Sequence, residues 1–171
     1  GHVAPKFKKM SLELGGKNPA IIFEDADFED ALRTTLRSSF ANQGQICLCG
    51  SRILIQRSIY DKFKEALVAK ASKMVAGDPL DPSTKLGAVV SEAHMEKILS
   101  YISLAKEEGG QVLCGGHRLH PEGVEGGFYV APTVIEGLGP ACRTNQEEIF
   151  GPVVTLQPFD TEEEALALAN D

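Results

Sequence analysis

The sequence predicts an α/β fold in which helices pack on a mainly parallel β-sheet. Strand-like and helix-like segments alternate several times along the 171 residues, and the connections between them are short. A strand, a crossover helix and the next parallel strand are joined with a right hand, so this alternation favours a parallel sheet. A chain of this length fits one domain of ordinary size with a buried core.

The predicted strands of the whole chain are 19–24, 51–56, 111–116, 128–136 and 153–159, and the predicted helices are 27–40, 58–76, 91–108 and 161–171.

The first half of the chain contains two strand–helix pairs. The first strand is a short apolar run closed by acidic residues, and the first helix repeats apolar side chains at i, i+4 spacing. Ser58 with Asp61 forms a capping-box signal for the second helix, which Gly77 and Pro79 would end.

The second half continues the alternation. Ser91 opens the third helix, and a glycine pair stops it. The segment 117–127 is predicted to be a surface loop because it is rich in glycine, proline and histidine. Pro132 interrupts the fourth strand and indicates an edge or a bend, since proline cannot donate to a strand ladder. Thr161 with Glu164 caps the last helix.

Charge and cysteine content narrow the classes of function. Seventeen basic and 24 acidic residues give a net charge of -7, so nucleic acids are not expected partners. No apolar run approaches the roughly 18 residues that cross a bilayer, and the start lacks the apolar core of a signal peptide. The expected location is therefore the reducing cytoplasm, where the four cysteines would be free thiols.

The candidate nucleophile is Cys47, at the end of the polar segment NQGQIC. A catalytic cysteine needs partial exposure and surroundings that favour the thiolate, whereas a buried structural cysteine is inert. The glycine-containing approach would let Cys47 lie exposed between a helix and a strand. From these residues alone, an unreactive buried cysteine is favoured over a nucleophile. In a strand, Cys49 would lie on the same side and act as a neighbouring thiol.

The candidate general base is Glu13 in SLELGGKN. It stands between two leucines and before a glycine pair, and a carboxylate in apolar surroundings is the stronger base that activation of water requires. From sequence alone, an exposed acid at a strand end is the favoured alternative. The glycine pair gives only a weak signal for phosphate binding.

Two other segments carry weaker signals. Cys114, His117 and His120 offer zinc-ligand atoms, but no fourth ligand is evident and their spacing is tighter than in zinc fingers, so no metal is expected. The segment EEIFGPV, 147–153, combines two acids, an aromatic residue and a Gly-Pro turn. Taken alone it indicates a helix or loop end that leads into a strand.

Three motifs together resemble the aldehyde dehydrogenase superfamily. They are LELGGK with Glu13, NQGQIC with Cys47 and EEIFGPV with Glu148, and they occur in this order across nearly the whole chain. The intervening GDPLDPSTKLGAVVS and GGFYVAPTVI are also similar to this family. Within it, the chain looks most like the hydroxymuconic or aminomuconic semialdehyde dehydrogenases.

The resemblance implies a truncated catalytic domain. Its fold would be a three-layer α/β structure, with a mainly parallel twisted sheet and helices on both faces. Residues 1–14 would end the dinucleotide-binding domain, and residues 15–171 would form the catalytic domain without its C-terminal strands. The family's phosphate loop, its adenine-ribose acid and its oxyanion asparagine would lie outside the chain. Bound NAD is therefore not expected in this fragment, which is expected to be inactive alone.

The resemblance also implies a mechanism. Cys47 would attack the aldehyde and form a thiohemiacetal, with its oxyanion held partly by the Cys47 N–H. Transfer of hydride to the nicotinamide would leave a thioester on Cys47. Glu13 would then activate the water that hydrolyses the thioester, and a carboxylic acid would be the product.

Further residues are implied as cofactor contacts. Glu148 would bond the nicotinamide ribose, Phe150 would pack beside that end of the cofactor, and Leu14 would line the nicotinamide pocket. Lys97 matches a position that approaches the ribose, whereas His94 replaces the commoner glutamine, so its contact stays open. The cofactor would be NAD or NADP, the partner a small-molecule aldehyde, and the full-length protein a homo-oligomer with no membrane or nucleic-acid partner.

Three other functions stay open on the same fold. A CoA-acylating dehydrogenase passes its thioester to CoA and needs no hydrolytic base, so the presence of Glu13 favours the hydrolytic type. A structural member of the family would carry an idle Cys47 thiol. Thiol esterase activity would need Cys47 and Glu13 but no cofactor.

Overall fold

The computed structural model describes residues 2–171 and consists of a five-stranded sheet, a two-stranded sheet and helices on both faces of the larger sheet. The strands are β1 (Asn18–Ile22), β2 (Gly50–Gln56), β3 (Gln111–Cys114), β4 (Arg118–Leu119), β5 (Tyr129–Val130), β6 (Thr133–Glu136) and β7 (Val153–Phe159). The α-helices are α1 (Phe28–Phe40), α2 (Tyr60–Ala71), α3 (Glu92–Glu107), α4 (Arg143–Gln146) and α5 (Glu162–Asn170). Short 3-10 helices span Ala4–Lys6, Ala41–Gly44 and Arg57–Ile59.

The larger sheet has the strand order β1-β2-β7-β6-β3. Its first four strands are parallel, and β3 pairs with β6 in the antiparallel direction. Alternate residues of β2 face opposite sides, as the strand period of two requires. Ile53 and Ile55 pack with α1 and α2, whereas Leu54 packs with α5 on the other face. The predicted mainly parallel three-layer fold is confirmed.

Two of the predicted helix caps are confirmed. The Ser91 side chain accepts a hydrogen bond from the His94 N–H at the start of α3, and the Thr161 side chain accepts one from the Glu164 N–H at the start of α5. These bonds satisfy backbone donors that the first helical turn leaves free. The cap at Ser91 therefore fixes the start of the helix that carries His94.

The prediction for the second helix is wrong at both ends. Its first turn is a 3-10 helix, and the Ser58 hydroxyl donates to the Glu24 carboxylate instead of capping α2. A charged acceptor makes the stronger hydrogen bond, so it competes with the cap. The helix ends at Ala71, well before Gly77, because the following segment pairs with the chain at Leu86.

Other differences lie in the loops. Pro132 marks the predicted bend, since β5 and β6 on either side of it belong to different sheets. The segment 117–127 is not purely a loop, because its first residues form β4 and pair with β5. The four-residue helix α4 was not predicted, because one turn is too short to show a period. Within residues 2–171, no helix is both long and apolar enough to cross a membrane.

Candidate active site

Cys47 lies in a turn between α1 and β2. The Cys49 N–H donates to the Ile46 carbonyl oxygen at 3.0 Å and closes the turn. The side-chain amide of Asn18, at the start of β1, donates to the Cys47 carbonyl oxygen at 2.6 Å and ties the turn to the sheet. Cys47 is half-buried, which is the partial exposure that a reactive thiol needs.

Cys49 has different surroundings from Cys47. The two residues do not lie in a strand, because the chain turns here and β2 begins only at Gly50, but Cys49 is a neighbouring thiol of Cys47 as expected. Cys49 is buried, and burial raises the pKa of its thiol, with the nearby Cys47 raising it further. A thiol of raised pKa stays protonated at neutral pH, so Cys47 is the better placed nucleophile of the pair.

The approach to Cys47 has an unusual backbone. Asn42 and Gln43 have positive φ values of 49° and 58°, and Gly44 follows with 70°. A Cβ atom on Gly44 would lie 2.1 Å from the Gly151 carbonyl oxygen. Glycine is therefore required at position 44 by both conformation and space. This close approach brings the cysteine turn against the EEIFGPV segment.

One open cleft of about 410 Å³ brings residues of all three motifs together. Its lining comprises Glu13, Leu14, Gly15, Gln45, Ile46, Cys47, Glu148 and Phe150. The three contributing segments each precede a strand, namely β1, β2 or β7. Because these strands are parallel neighbours, their amino ends lie side by side at the same end of the sheet. A larger open cleft, of about 920 Å³, lies between α1 and α2 and contains none of the predicted site residues.

Glu13 reaches the cleft from an exposed segment without regular structure. The side chain is exposed, and the flanking Leu12 and Leu14 are 65% and 71% exposed. The prediction that these leucines enclose Glu13 in apolar surroundings is therefore wrong for residues 2–171. The segment before β1 packs on neither sheet face, so the leucines stay in solvent. The role of Glu13 as a base remains a prediction.

Glu148 and Gly15 lie in close contact at the floor of the cleft. A Cβ atom on Gly15 would lie 2.3 Å from Oε2 of Glu148, so a larger residue here would displace this carboxylate from its present position. Nearby, the Lys17 ammonium is buried and has no hydrogen-bond partner among the described residues. Burial, and then Arg52, lower the pKa of Lys17 to about 8, while Glu148 raises it. Lys17 therefore loses its proton at a lower pH than an ordinary lysine, and its ammonium interacts with the Glu148 carboxylate.

Lys97 and His94 do not line the cleft but bond the backbone of two residues that do. The Lys97 ammonium donates to the Glu148 carbonyl oxygen at 3.1 Å, and His94 Nε2 lies 2.6 Å from the Phe150 carbonyl oxygen. The direct ribose contact predicted for Lys97 stays a prediction. Phe150 itself has a φ of 61°, which is uncommon for a residue other than glycine.

The residues of the cleft fit the nicotinamide end of a dinucleotide. The Glu148 carboxylate can accept hydrogen bonds from sugar hydroxyls, and Gly15 leaves the space in which it lies. Phe150 and Leu14 offer apolar surface to an aromatic ring. Carboxylate and apolar groups in one concave site suit a ligand that is part sugar and part heterocycle.

The Cys114, His117 and His120 segment has other bonds. Within residues 2–171, no three His, Cys, Asp or Glu side chains lie together as a metal site would require. The Cys114 thiol contacts the Pro132 carbonyl oxygen at 3.7 Å, and burial raises the pKa of this thiol. Zinc binds thiolate, so a thiol of raised pKa is a poor ligand.

Three residues of the site were missed by the sequence prediction. Asn18 anchors the cysteine turn, Lys17 lies beside Glu148, and Gln45 accepts a hydrogen bond from the Val90 N–H at 3.0 Å while lining the cleft. The only sequence signal was their place within or next to the LGGK and NQGQIC motifs. Each acts through a contact that is distant in sequence.

Comparisons with known proteins agree with this geometry. A model described as "Aldehyde dehydrogenase family" matches residues 2–171. A 2-aminomuconic semialdehyde dehydrogenase of Mus musculus is 51% identical over 176 residues, covering 98% of this chain and 35% of that protein. A betaine aldehyde dehydrogenase of Mesorhizobium japonicum is 44% identical over 166 residues, which cover 97% of this chain and 34% of that protein. The chain thus spans about a third of the length of these relatives.

Solved structures are similar over the same range. The crystal structure of betaine aldehyde dehydrogenase from Staphylococcus aureus in complex with NAD+ superposes with a TM-score of 0.92 at 46% sequence identity. The superposition covers 98% of this chain and 33% of that chain. The sheet and the three motif segments therefore have counterparts in a protein crystallised with NAD+.

Proposed function

This chain belongs to the aldehyde dehydrogenase family, and from that premise we propose that the protein to which it contributes oxidises an aldehyde to a carboxylic acid with NAD or NADP. One observation carries the proposal. A single cleft, at the amino ends of three parallel strands, is lined by Cys47, Glu13, Glu148 and Phe150. A thiol, a carboxylate base and a cofactor-binding surface are the groups that this reaction needs.

Cys47 begins the reaction. Its sulfur attacks the aldehyde carbon, a C–S bond forms and the carbonyl electron pair moves to oxygen, giving a thiohemiacetal. The turn that carries Cys47 is held by Asn18, so the sulfur has a fixed place at the mouth of the cleft. The Cys47 backbone N–H contributes to stabilising the developing oxyanion.

Glu148, Phe150 and Leu14 orient the cofactor. When NAD or NADP is bound, it would supply the acceptor for the hydride that leaves the thiohemiacetal carbon, and a thioester would remain on Cys47. The Glu148 carboxylate would bond the ribose hydroxyls, while Phe150 and Leu14 would pack beside the ring. Lys97 would support this surface through its hydrogen bond to the Glu148 carbonyl oxygen.

Glu13 completes the reaction. It takes a proton from a water molecule, the oxygen attacks the thioester carbon, and Cys47 leaves as thiolate. Glu13 lines the same cleft as Cys47, and this placement supports the role. A base in the cysteine cleft favours transfer of the acyl group to water over transfer to CoA.

The substrate class follows from the relatives. Several are 2-aminomuconic semialdehyde dehydrogenases, so a muconic-type semialdehyde is the proposed substrate. The full-length protein is proposed to be a cytoplasmic homo-oligomer. The 171-residue chain alone is proposed to be inactive, and robust NAD-dependent turnover by the isolated chain would contradict this.

The proposal is tested with the full-length protein and its Cys47→Ala variant. Aliphatic, aromatic and muconic semialdehydes are assayed with NAD and with NADP, with and without CoA, and reduced cofactor is followed by absorbance. Cys47→Ala is expected to abolish oxidation of every substrate, whereas Cys49→Ala, the matched control, retains it. Turnover by Cys47→Ala, or a requirement for CoA, would overturn the mechanism.

A further inference from the structure

One face of α3 holds the five consecutive residues 147–151. Three side chains of α3 form hydrogen bonds with this segment: Tyr101 donates to the Glu147 carboxylate, Lys97 donates to the Glu148 carbonyl oxygen, and His94 Nε2 bonds the Phe150 carbonyl oxygen. Between these bonds, Ile149 packs in the buried cluster with Met95 and Ile98. A Cβ atom on Gly151 would lie 2.5 Å from Ile98 Cδ1. The helix residues 94, 97, 98 and 101 are spaced i, i+3, i+4 and i+7, so they share one face.

Phe150 is the strained residue of this segment. Its φ of 61° lies in the left-handed region, which a side chain other than glycine adopts only where the surroundings hold it. His94 contacts this same residue twice. Nε2 lies 2.6 Å from the carbonyl oxygen, and the two rings meet edge to face at 6.1 Å. A carbonyl oxygen only accepts, so Nε2 of His94 carries the proton and donates.

The side of the segment that faces away from α3 faces the cleft. Glu148 and Phe150 line it, and the Glu148 carboxylate lies against Gly15. The Gly151 carbonyl packs against Gly44, at the start of the cysteine turn. A displacement of the backbone at Phe150 would therefore move the proposed cofactor-binding groups.

We propose that His94 is a positioning residue for the cofactor. Its Nε2–H holds the Phe150 carbonyl and so maintains the left-handed backbone that presents Glu148 and Phe150 to the nicotinamide ribose. Lys97 acts in the same way on the Glu148 carbonyl oxygen, one helical turn further along α3. This inference rests on the proposed function, because it assumes that these two side chains contact the cofactor.

The test compares two substitutions in the full-length protein. His94→Leu removes the donor, whereas His94→Gln keeps an N–H donor on a flexible side chain. Binding of NADH is measured by fluorescence titration, together with KM for NAD+ and kcat. His94→Leu is expected to weaken NADH binding and raise KM about tenfold, the effect of one lost hydrogen bond, with kcat changed less than about threefold. His94→Gln is expected to retain most of the affinity.

Further variants separate positioning from other roles. Lys97→Met changes an exposed side chain, so it should fold, and it is expected to weaken NADH binding as well. In a Glu148→Gln background the effect of His94→Leu should shrink, because His94 acts through that segment. The rate of Cys47 alkylation by iodoacetamide, measured without cofactor, should stay within about twofold of wild type in His94→Leu if the cysteine turn is intact.

Each outcome decides the inference. The inference is overturned if His94→Leu binds NADH with unchanged affinity, or if His94→Leu and His94→Gln lose the same amount of affinity. It is also overturned if His94→Leu weakens NADH binding as much in the Glu148→Gln background as in wild type, or if wild type does not bind NADH. If wild type binds NADH but oxidises no aldehyde, the proposed function fails while the positioning of the cofactor stands. If wild type oxidises aldehydes and His94→Leu binds NADH normally, only the positioning role fails.

Discussion

At the scale of single residues, two cysteines that are two positions apart differ in burial. Cys47 is half-buried at the mouth of the cleft, whereas Cys49 is buried and its thiol has a raised pKa. The turn closed by the bond from the Cys49 N–H to the Ile46 carbonyl oxygen leaves Cys47 the more exposed of the two. Reactivity of a thiol requires exposure, which favours Cys47.

Glu13→Gln in the full-length protein should separate the two halves of the reaction. The amide cannot take a proton from water, so one equivalent of reduced cofactor should form in a burst and the thioester should then persist. Steady-state turnover should fall by a factor of about 100 or more. Stopped-flow absorbance measures both phases. Normal steady-state turnover by the variant would show that Glu13 is not the base.

Lys17 gives a prediction about pH. Its pKa falls from 10.5 to about 8 on folding, so between these values the unfolded chain binds more protons than the folded chain. The contribution of Lys17 to stability is therefore unfavourable at pH 7 and improves as pH rises from about 8 toward 10.5. Lys17→Met should raise the free energy of unfolding at pH 7 by about 1 to 3 kcal/mol.

The measurement is urea denaturation at pH 7 and at pH 9.5. Lys9→Met, at an exposed position without regular structure, is the matched control and should change little. The gain from Lys17→Met should shrink at the higher pH, because wild-type Lys17 is then largely neutral. A loss of stability on Lys17→Met at pH 7 would mean that the buried ammonium is favourably paired.

At the scale of elements, α3 links the fold to the site. Its start is fixed by the Ser91 cap, and the face that carries His94, Lys97, Ile98 and Tyr101 contacts residues 147–151 just before β7 begins. The parallel strands β1, β2 and β7 begin at matching levels, since Asn18 pairs with Gly50 and Arg52 pairs with Thr155. The loops before these strands are therefore close together without any long connection.

Ser91→Ala should destabilise the protein through α3. The hydroxyl accepts the His94 N–H, and loss of such a cap costs about 1 kcal/mol. Ser58→Ala is the matched control, because Ser58 caps no helix and only bonds the exposed Glu24. Guanidinium denaturation of both variants measures the difference. Equal effects of the two substitutions would contradict the assignment of caps.

At the scale of the whole molecule, the cleft lies at the less common end of a parallel sheet for a binding site. Ligands of open α/β sheets commonly bind outside the carboxyl ends of the strands. Here Cys47, Glu148 and Gly15 all precede their strands, so the cleft lies at the amino ends. The opposite end of the chain supports this edge, because buried Arg52 donates to the Lys17, Leu168 and Ala169 carbonyl oxygens.

Arg52→Lys should therefore destabilise the whole molecule. A lysine has one ammonium and cannot reproduce the fork that reaches three carbonyl groups, so buried acceptors lose their donor. We expect the free energy of unfolding to fall by about 2 to 4 kcal/mol. Arg57→Lys is the matched control, since Arg57 pairs with Asp160 on the surface and should change stability little. Urea denaturation distinguishes them, and equal stability of wild type and Arg52→Lys would refute the role of the fork.

Local signals in the sequence determined most elements and the family. Apolar periodicity and the caps at Ser91 and Thr161 depend on residues within a few positions, so they are visible without a structure. The order of the three motifs was likewise enough to indicate an aldehyde dehydrogenase. The cap at Ser58 failed, because its hydroxyl bonds Glu24, which is distant in sequence.

Only the tertiary structure decided how the motifs meet. Several features of the site depend on chain segments that are far apart in sequence. They are the exposure of Glu13, the turn at Cys47, the buried ammonium of Lys17 and the contact of His94 with Phe150. Local periodicity carries no information about such contacts. Parallel pairing of β1, β2 and β7 aligns their amino ends, and this alignment brings a thiol, two carboxylates and an aromatic ring into one cleft.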